Sequence, residues 1–148
     1  MAEYSDVLLR SLLSQVRVIA MPGASLKPER PSNGVMRFLQ GRGYRVVPVN
    51  PGQAGKMLLG EPIYARLADI PEKIDMVDIF RNQAALGRMT DEAIAAGAKA
   101  IWMQLGLIDE AAAARAEAAG LTVVMNRCPA IEIPRLFGGA DPHAQPRA

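Results

Sequence analysis

The sequence is poor in the residues that build metal sites and disulfide frameworks. It has one cysteine, Cys128, and one histidine, His143, among 148 residues. A lone cysteine forms no intramolecular disulfide, and the two residues provide no Cys/His set of zinc ligands. No metal site is predicted, and the unpaired cysteine favours a reducing compartment.

Long apolar runs and strong charge of one sign are also missing. No apolar run approaches 18 residues, so no membrane span is predicted. Residues 1–15 carry two acids and a helical spacing of leucines, unlike a secretory signal or a transit peptide. The formal net charge of +2 is too small to indicate a nucleic-acid partner. A cytoplasmic protein without nucleic-acid or membrane partners is expected.

Standard nucleotide motifs are incomplete. The turn after the first apolar segment has one glycine, Gly23, where the dinucleotide fingerprint needs three. Asn50 stands where NAD-binding domains place a carboxylate for the ribose hydroxyls. No P-loop GK[ST] or G-x-S-x-G elbow occurs. These features disfavour NAD and favour a ligand with an additional phosphate on its ribose.

The sequence does contain five short apolar segments that alternate with helical patterns. This alternation predicts an α/β fold, a Rossmann-like doubly wound parallel sheet of about five strands with helices on both faces. We predict a single domain over residues 1–137 and a flexible tail over 138–148. The predicted strands are 17–21, 45–49, 75–80, 99–104 and 121–126.

Capping residues and turn residues set the expected boundaries. Ser5 with Asp6, Ser32 and Asp109 are predicted to cap helices. The stretch 50–71 is rich in proline and glycine, so a loop with a short strand or helical turn near residues 63–67 is expected. Asp78 is expected to meet a turn or a helix start.

The loop after the first strand, MPGASLKPERPS, is the strongest candidate site. Two cations and two hydroxyls, from Lys27, Arg30, Ser25 and Ser32, fall within eight residues next to a helix start. Gly23 has no side chain to keep a ligand from the backbone. The loop therefore predicts a phosphate site. An ordinary solvated loop is the competing interpretation.

Groups suited to catalysis are scarce. His143 falls in the predicted tail, so a nucleophilic pair with Cys128 is not expected, and no catalytic residue is predicted. Trp102 and Tyr44 are expected to belong to the core or its edge.

Several motifs in order resemble the CoA-binding-domain family of small stand-alone proteins, which is similar to the CoA-binding domain of the succinyl-CoA synthetase alpha subunit. The resemblance covers about residues 15–136. It rests on GAS at 23–25, RPS at 30–32, GYRVVPVNP at 43–51, LADIP at 67–71, DMVDIFR at 75–81, GAKAIWMQLG at 97–106 and RCP at 127–129 followed by Glu132.

The resemblance implies a domain that holds the adenosine diphosphate part of coenzyme A at the carboxyl ends of its strands. Around the phosphates it places the residues of the first loop, namely Gly23, Ala24, Ser25, Lys27, Arg30 and Ser32. It places Asn50 and Pro51 by the ribose or adenine. Phe80 and Arg81 would form one wall of the binding site, at the third strand, and Gln104 and Gly106 would line its entrance. Pro22 departs from the family's aliphatic strand residue and removes one N–H donor.

The expected function is binding of coenzyme A or an acyl-CoA without catalysis, because this chain lacks the domain whose histidine carries the phosphoryl group in the synthetase. A small NADP-type oxidoreductase and the nucleotide-binding subunit of a CoA ligase are the alternatives. A protein partner or a homo-oligomer is compatible with the sequence.

Overall fold

The computed structural model describes residues 3–144, and its centre is a five-stranded parallel sheet. The sheet contains β1 (Val18–Pro22), β2 (Arg45–Val49), β5 (Met76–Ile79), β6 (Ala100–Met103) and β7 (Thr122–Val124) in the order β2-β1-β5-β6-β7. A small antiparallel pair, β3 (Met57–Leu58) and β4 (Glu61–Pro62), lies between β2 and β5 in sequence. The predicted Rossmann-like α/β class is confirmed.

Helices cover both faces of this sheet. They are α1 (Asp6–Gln15), α2 (Pro31–Gly41), α3 (Leu86–Ala95), α4 (Glu110–Ala118) and α5 (Pro129–Phe137). One apolar layer joins α1, α2 and α5 to the sheet, and the other joins α3 and α4 to its opposite face. The strands are buried on both sides, which explains why they are almost continuously apolar in sequence.

Two of the three predicted helix caps are confirmed, and one is wrong. Ser5 Oγ accepts from Leu8 N at 3.1 Å, and Asp109 Oδ1 accepts from Ala112 N at 3.0 Å. Ser32 does not cap α2, because the helix already begins at Pro31 and Ser32 lies buried in its first turn. Proline is favoured at the first helical position, since its missing N–H would have no partner there.

The stretch 50–71 has more structure than the predicted loop. It contains 3-10 turns at Pro51–Gln53 and Leu67–Asp69 in addition to the β3–β4 hairpin. Its apolar residues include Ile63, Leu67 and Ile70, which are buried, and Leu67 and Ile70 belong to the apolar layer of α3 and α4. This irregular segment thus covers part of a sheet face that other crossovers cover with a helix.

The expectation for Asp78 is wrong. Asp78 lies inside β5 with no exposed surface, and neither carboxylate oxygen has a hydrogen-bond partner in the described part of the chain. Complete burial raises the pKa of Asp78 well above its ordinary value, because removal from water disfavours the charged form. Asp75, just before β5, instead accepts from the backbone N–H groups of Arg17 and Val18.

The segment after α5 contacts the rest of the domain through His143. His143 is buried, its Nε2 lies 2.8 Å from Val16 O, and its ring meets the edge of Tyr44 with centroids 4.5 Å apart. Residues 1, 2 and 145–148, which include the end of the predicted tail, lie outside the described residues. Within residues 3–144 no helix has the length and apolar character needed to cross a membrane.

Candidate functional site

The candidate site lies where the order of strands in the sheet changes direction. From β1 the chain moves outward to β2 and then returns to the other side of β1 with β5. The carboxyl ends of β1 and β5 therefore bound the crevice in which open α/β sheets bind ligands. Gly23 follows β1, and Phe80 and Arg81 follow β5.

Gly23 allows the two loops at this crevice to touch. Its φ of +86° lies in the left-handed region that favours glycine. A Cβ at this position would lie 2.0 Å from the backbone oxygen of Phe80. Gly23 N also donates to Val49 O at 3.0 Å, so the turn is fixed against both neighbouring strands.

A cavity of about 630 Å³ opens over the crevice. We call it the switch-point cavity. It is lined by Gly23, Ala24, Ser25, Lys27, Arg30, Pro31, Ser32, Val35, Asn50, Phe80, Arg81, Gln104, Leu105, Leu107 and Cys128. Ten of the twelve site residues expected from sequence are thus brought together.

The charge of the switch-point cavity is of one sign. Its lining contains three cations, Lys27, Arg30 and Arg81, and no aspartate or glutamate. None of these three cations takes part in an ion pair within residues 3–144. Charges of one sign in a concave site attract ligands of the opposite sign. The cavity is therefore suited to an anion.

Pro51 and Gly106 do not line this cavity. Pro51 begins the 3-10 turn after β2 and lines a second cavity instead. Gly106 is exposed, and its N–H donates to Asn126 Oδ1 at 2.8 Å. Its contact connects the loops after β6 and β7, so its backbone donor is already used by the protein.

Asn50 lines the cavity, but its side chain is engaged by the protein. Its Nδ2 donates to Ala24 O at 2.9 Å, and its Oδ1 accepts from Gly52 N at 3.0 Å. These bonds connect the end of β2 to the loop after β1. Asn50 thus holds the loop in place and also lines the cavity.

A second cavity, of about 640 Å³, lies on the opposite side of the β1 end and shares Arg81 with the first. It includes both Arg88 and Glu92, which pair at 3.2 Å, together with Arg66, which pairs with Asp69 at 3.0 Å. Its charges are therefore largely neutralised, in contrast to the switch-point cavity.

Sequence reasoning missed the apolar residues of the switch-point cavity. Val35, Leu105 and Leu107 line the cavity, as does Cys128, which is buried and directly precedes α5. Leu105 and Leu107 follow β6, and ligands bind at the carboxyl ends of strands, so their position in the sequence could have indicated that they line the site. Val35 lies one helical turn into α2, and nothing in its sequence position distinguishes it from an ordinary core residue.

Pro22 removes one donor without displacing the turn. Strand β1 pairs with β2 as far as Pro22, whereas β1 pairs with β5 only at Ile19 and Ala20. Pro22 O still accepts from Phe80 N at 2.9 Å. The loss of one ladder bond thus leaves the loop after β1 attached to both neighbours.

Fold and site together define a Rossmann-like α/β domain with an anion-attracting cavity at its switch point. Residues 17–134 match the family described as CoA binding domain, and the chain belongs to this family. The "Uncharacterized protein YneT" of Bacillus subtilis (strain 168) is 32% identical over 120 residues, which cover 81% of this chain and 87% of that one.

Solved structures share the fold of this chain. The structure of cell-free ID.343 from Thermus thermophilus is 40% identical, with a TM-score of 0.86 over 90% of this chain and 100% of that one. A dinucleotide forming acetyl-coenzyme A synthetase 1 from Ca. Korarchaeum cryptofilum is similar over 77% of this chain and 27% of its own, with 23% identity and a TM-score of 0.64. The latter likeness shows a shared fold alone.

Proposed function

We propose that this protein binds coenzyme A or an acyl-CoA in the switch-point cavity and catalyses no reaction of its own. The observation that carries the proposal is the set of three cations without ion pairs, Lys27, Arg30 and Arg81, in a cavity whose lining has no carboxylate. Membership of the CoA binding domain family supports this choice among phosphate-bearing ligands.

The lining of the cavity suits both parts of such a ligand. The loop of residues 23–32 offers cations and the first turn of α2, which favour phosphate groups. The lining also includes Val35, Leu105 and Leu107, which suit the less polar pantetheine arm. We infer that the adenosine diphosphate part lies toward the loop and toward Asn50.

The side chains of the cavity favour binding over chemistry. Its lining contains no histidine and no carboxylate. Histidines and carboxylates are the groups that most often act as general acids and bases within hydrogen-bond reach of the reacting atoms. His143 packs against Tyr44 and Val16 instead.

We predict that coenzyme A stabilises the protein against heat more than nucleotides without the pantetheine arm. A ligand at 100 times its dissociation constant adds about 2.7 kcal/mol to the free energy of unfolding. Thermal unfolding should be followed with CoA, acetyl-CoA, dephospho-CoA, NADP, NAD and ATP. The absence of a shift with every CoA species would contradict the proposal.

The same panel separates the alternatives. Stabilisation by NADP and not by CoA would favour a small oxidoreductase. A role as the nucleotide-binding subunit of a CoA ligase is the other alternative. It would be favoured if CoA bound well and a second chain were needed for thioester formation.

We predict that Lys27→Ala and Arg30→Ala each weaken CoA binding by about 1.5–3 kcal/mol, the range for hydrogen bonds to charged groups. The loss should shrink with salt, because the Debye length falls from about 10 Å at 0.1 M to about 3 Å at 1 M. Titration calorimetry at both salt concentrations measures it. Lys99→Ala is the matched control, since this exposed lysine directly precedes β6 and therefore lies at the amino-terminal ends of the parallel strands, away from the cavity. Unchanged affinity in both loop variants would place the phosphates elsewhere.

A further inference from the structure

Two asparagines hold consecutive carbonyl groups of the loop after β1. Asn50 Nδ2 donates to Ala24 O and Asn33 Nδ2 donates to Ser25 O, each at 2.9 Å. The asparagines come from different elements, since Asn50 follows β2 and Asn33 lies in the first turn of α2. The loop is therefore attached on two sides through its backbone oxygens.

These bonds orient two peptide groups. In a trans peptide the N–H points opposite to the C=O of the same plane. The N–H groups of Ser25 and Leu26 share their planes with the carbonyls of Ala24 and Ser25, so they point away from the two asparagines. Neither N–H donates to a protein acceptor in the described part of the chain. Backbone N–H groups without a protein acceptor are available to donate to an anion.

The orientation of each asparagine amide is itself set by a second bond. Asn33 Oδ1 accepts from Arg37 Nε at 3.0 Å, and Asn50 Oδ1 accepts from Gly52 N at 3.0 Å. A donor at each amide oxygen leaves the NH₂ group to face the loop carbonyl. Arg37 Nη2 also donates to Pro28 O at 3.4 Å, so Arg37 supports the loop at a third carbonyl.

We propose that Asn33 and Asn50 are positioning residues, which hold the loop so that the N–H groups of Ser25 and Leu26 donate to a phosphate of the ligand. The inference rests on the proposed function and names the residues that shape its anion site. Asn33 is the sharper case, because it is buried, does not line the switch-point cavity and acts only through the loop.

The test compares variants that lose position with a variant that loses charge. Asn33→Leu and Asn50→Leu keep a similar shape and remove the donor to the loop. Arg37→Met removes the bond that orients Asn33 and leaves an exposed site with little cost to folding. Arg30→Ala removes a cation of the cavity. The dissociation constant for CoA is measured for each by calorimetry at about 0.1 M and 1 M salt, with thermal unfolding as the check of folding.

Asn33→Leu and Asn50→Leu are expected to weaken CoA binding about tenfold or more, the value of one lost hydrogen bond to a charged group. Arg37→Met is expected to weaken CoA binding severalfold. These losses should persist at 1 M salt, because they come from misplaced dipoles, whereas the loss in Arg30→Ala should shrink. In the wild type, the amide NMR signals of Ser25 and Leu26 should shift when CoA is added.

Two results would overturn the inference and leave CoA binding intact. One is wild-type affinity in both Asn33→Leu and Asn50→Leu, and the other is CoA binding without a shift of the Ser25 and Leu26 amide signals. If Asn33→Leu fails to fold, Asn50→Leu and Arg37→Met decide the matter in the same way. Failure of the wild type to bind any CoA species would instead refute the proposed function, and the positioning role with it.

Discussion

Gly23→Ala is expected to destabilise the protein by about 3 kcal/mol or more and to abolish measurable binding of CoA. Two costs add at this position. A non-glycine residue at the left-handed φ of Gly23 costs about 1–2 kcal/mol. The new Cβ would also lie 2.0 Å from Phe80 O, which belongs to the backbone and cannot turn aside as a side chain would. Denaturant unfolding and calorimetry with CoA measure the two effects.

Gly97→Ala is the matched control for Gly23→Ala. Gly97 has a similar φ of +78°, and a Cβ there meets nothing within 4 Å. It carries the backbone cost without the clash, so a loss of about 1–2 kcal/mol and normal CoA affinity are expected. Equal losses of stability and of CoA affinity in the two variants would show that the close contact between the loops after β1 and β5 is not needed for folding or for CoA binding.

The fold could be predicted because its signals are local and repeated. Segments such as RVVPV at Arg45–Val49 are apolar after their first residue, and the capping residues Ser5 and Asp109 mark the starts of two helices. Alternation of such segments with helices leaves few arrangements other than a parallel sheet covered on both faces. The predicted place of the site followed from the same rule, because strand ends converge at one edge.

The errors have different causes. Ser32 is a good capping residue by type, but Pro31 already begins the helix one position earlier. The stretch 50–71 has no regular periodicity, yet Leu67 and Ile70 complete an apolar layer. This second outcome depends on which sheet face lacks a helix, and a window of local sequence does not contain that information.

The bonds that shape the loop were also beyond the reach of local sequence. Asn33 lies eight positions after Ser25, and Asn50 lies 26 positions after Ala24, yet each bonds a loop carbonyl. The sequence indicated which cations and hydroxyls lie in the loop. It contained no sign that two amide side chains determine the direction in which the loop's backbone N–H groups point.

Asp78 is the largest departure from the expected pattern, and it leads to the prediction with the clearest dependence on pH. Burial raises the pKa of Asp78 in the native state, so the native protein retains a proton that the unfolded chain has released. The associated stability is complete below about pH 4, the ordinary range of an aspartic acid, and is lost as the pH rises toward the native pKa. Over that range the free energy of unfolding falls by about 1.4 kcal/mol for each pH unit.

Asp78→Asn should therefore be more stable than the wild type by an amount that grows as the pH rises from about 4 toward the raised native pKa of Asp78. Asparagine has nearly the same shape and is neutral at every pH, so it removes the cost of protonation and fills the same space in β5, beside its register partner Trp102 in β6. Free energies of unfolding in urea at pH 4.5, 6 and 7.5 measure the difference. Asp91→Asn, the same change at an exposed carboxylate, should alter stability by less than about 1 kcal/mol. Parallel pH profiles for Asp78→Asn and the wild type would mean that a partner such as buried water satisfies the ionised carboxylate in β5.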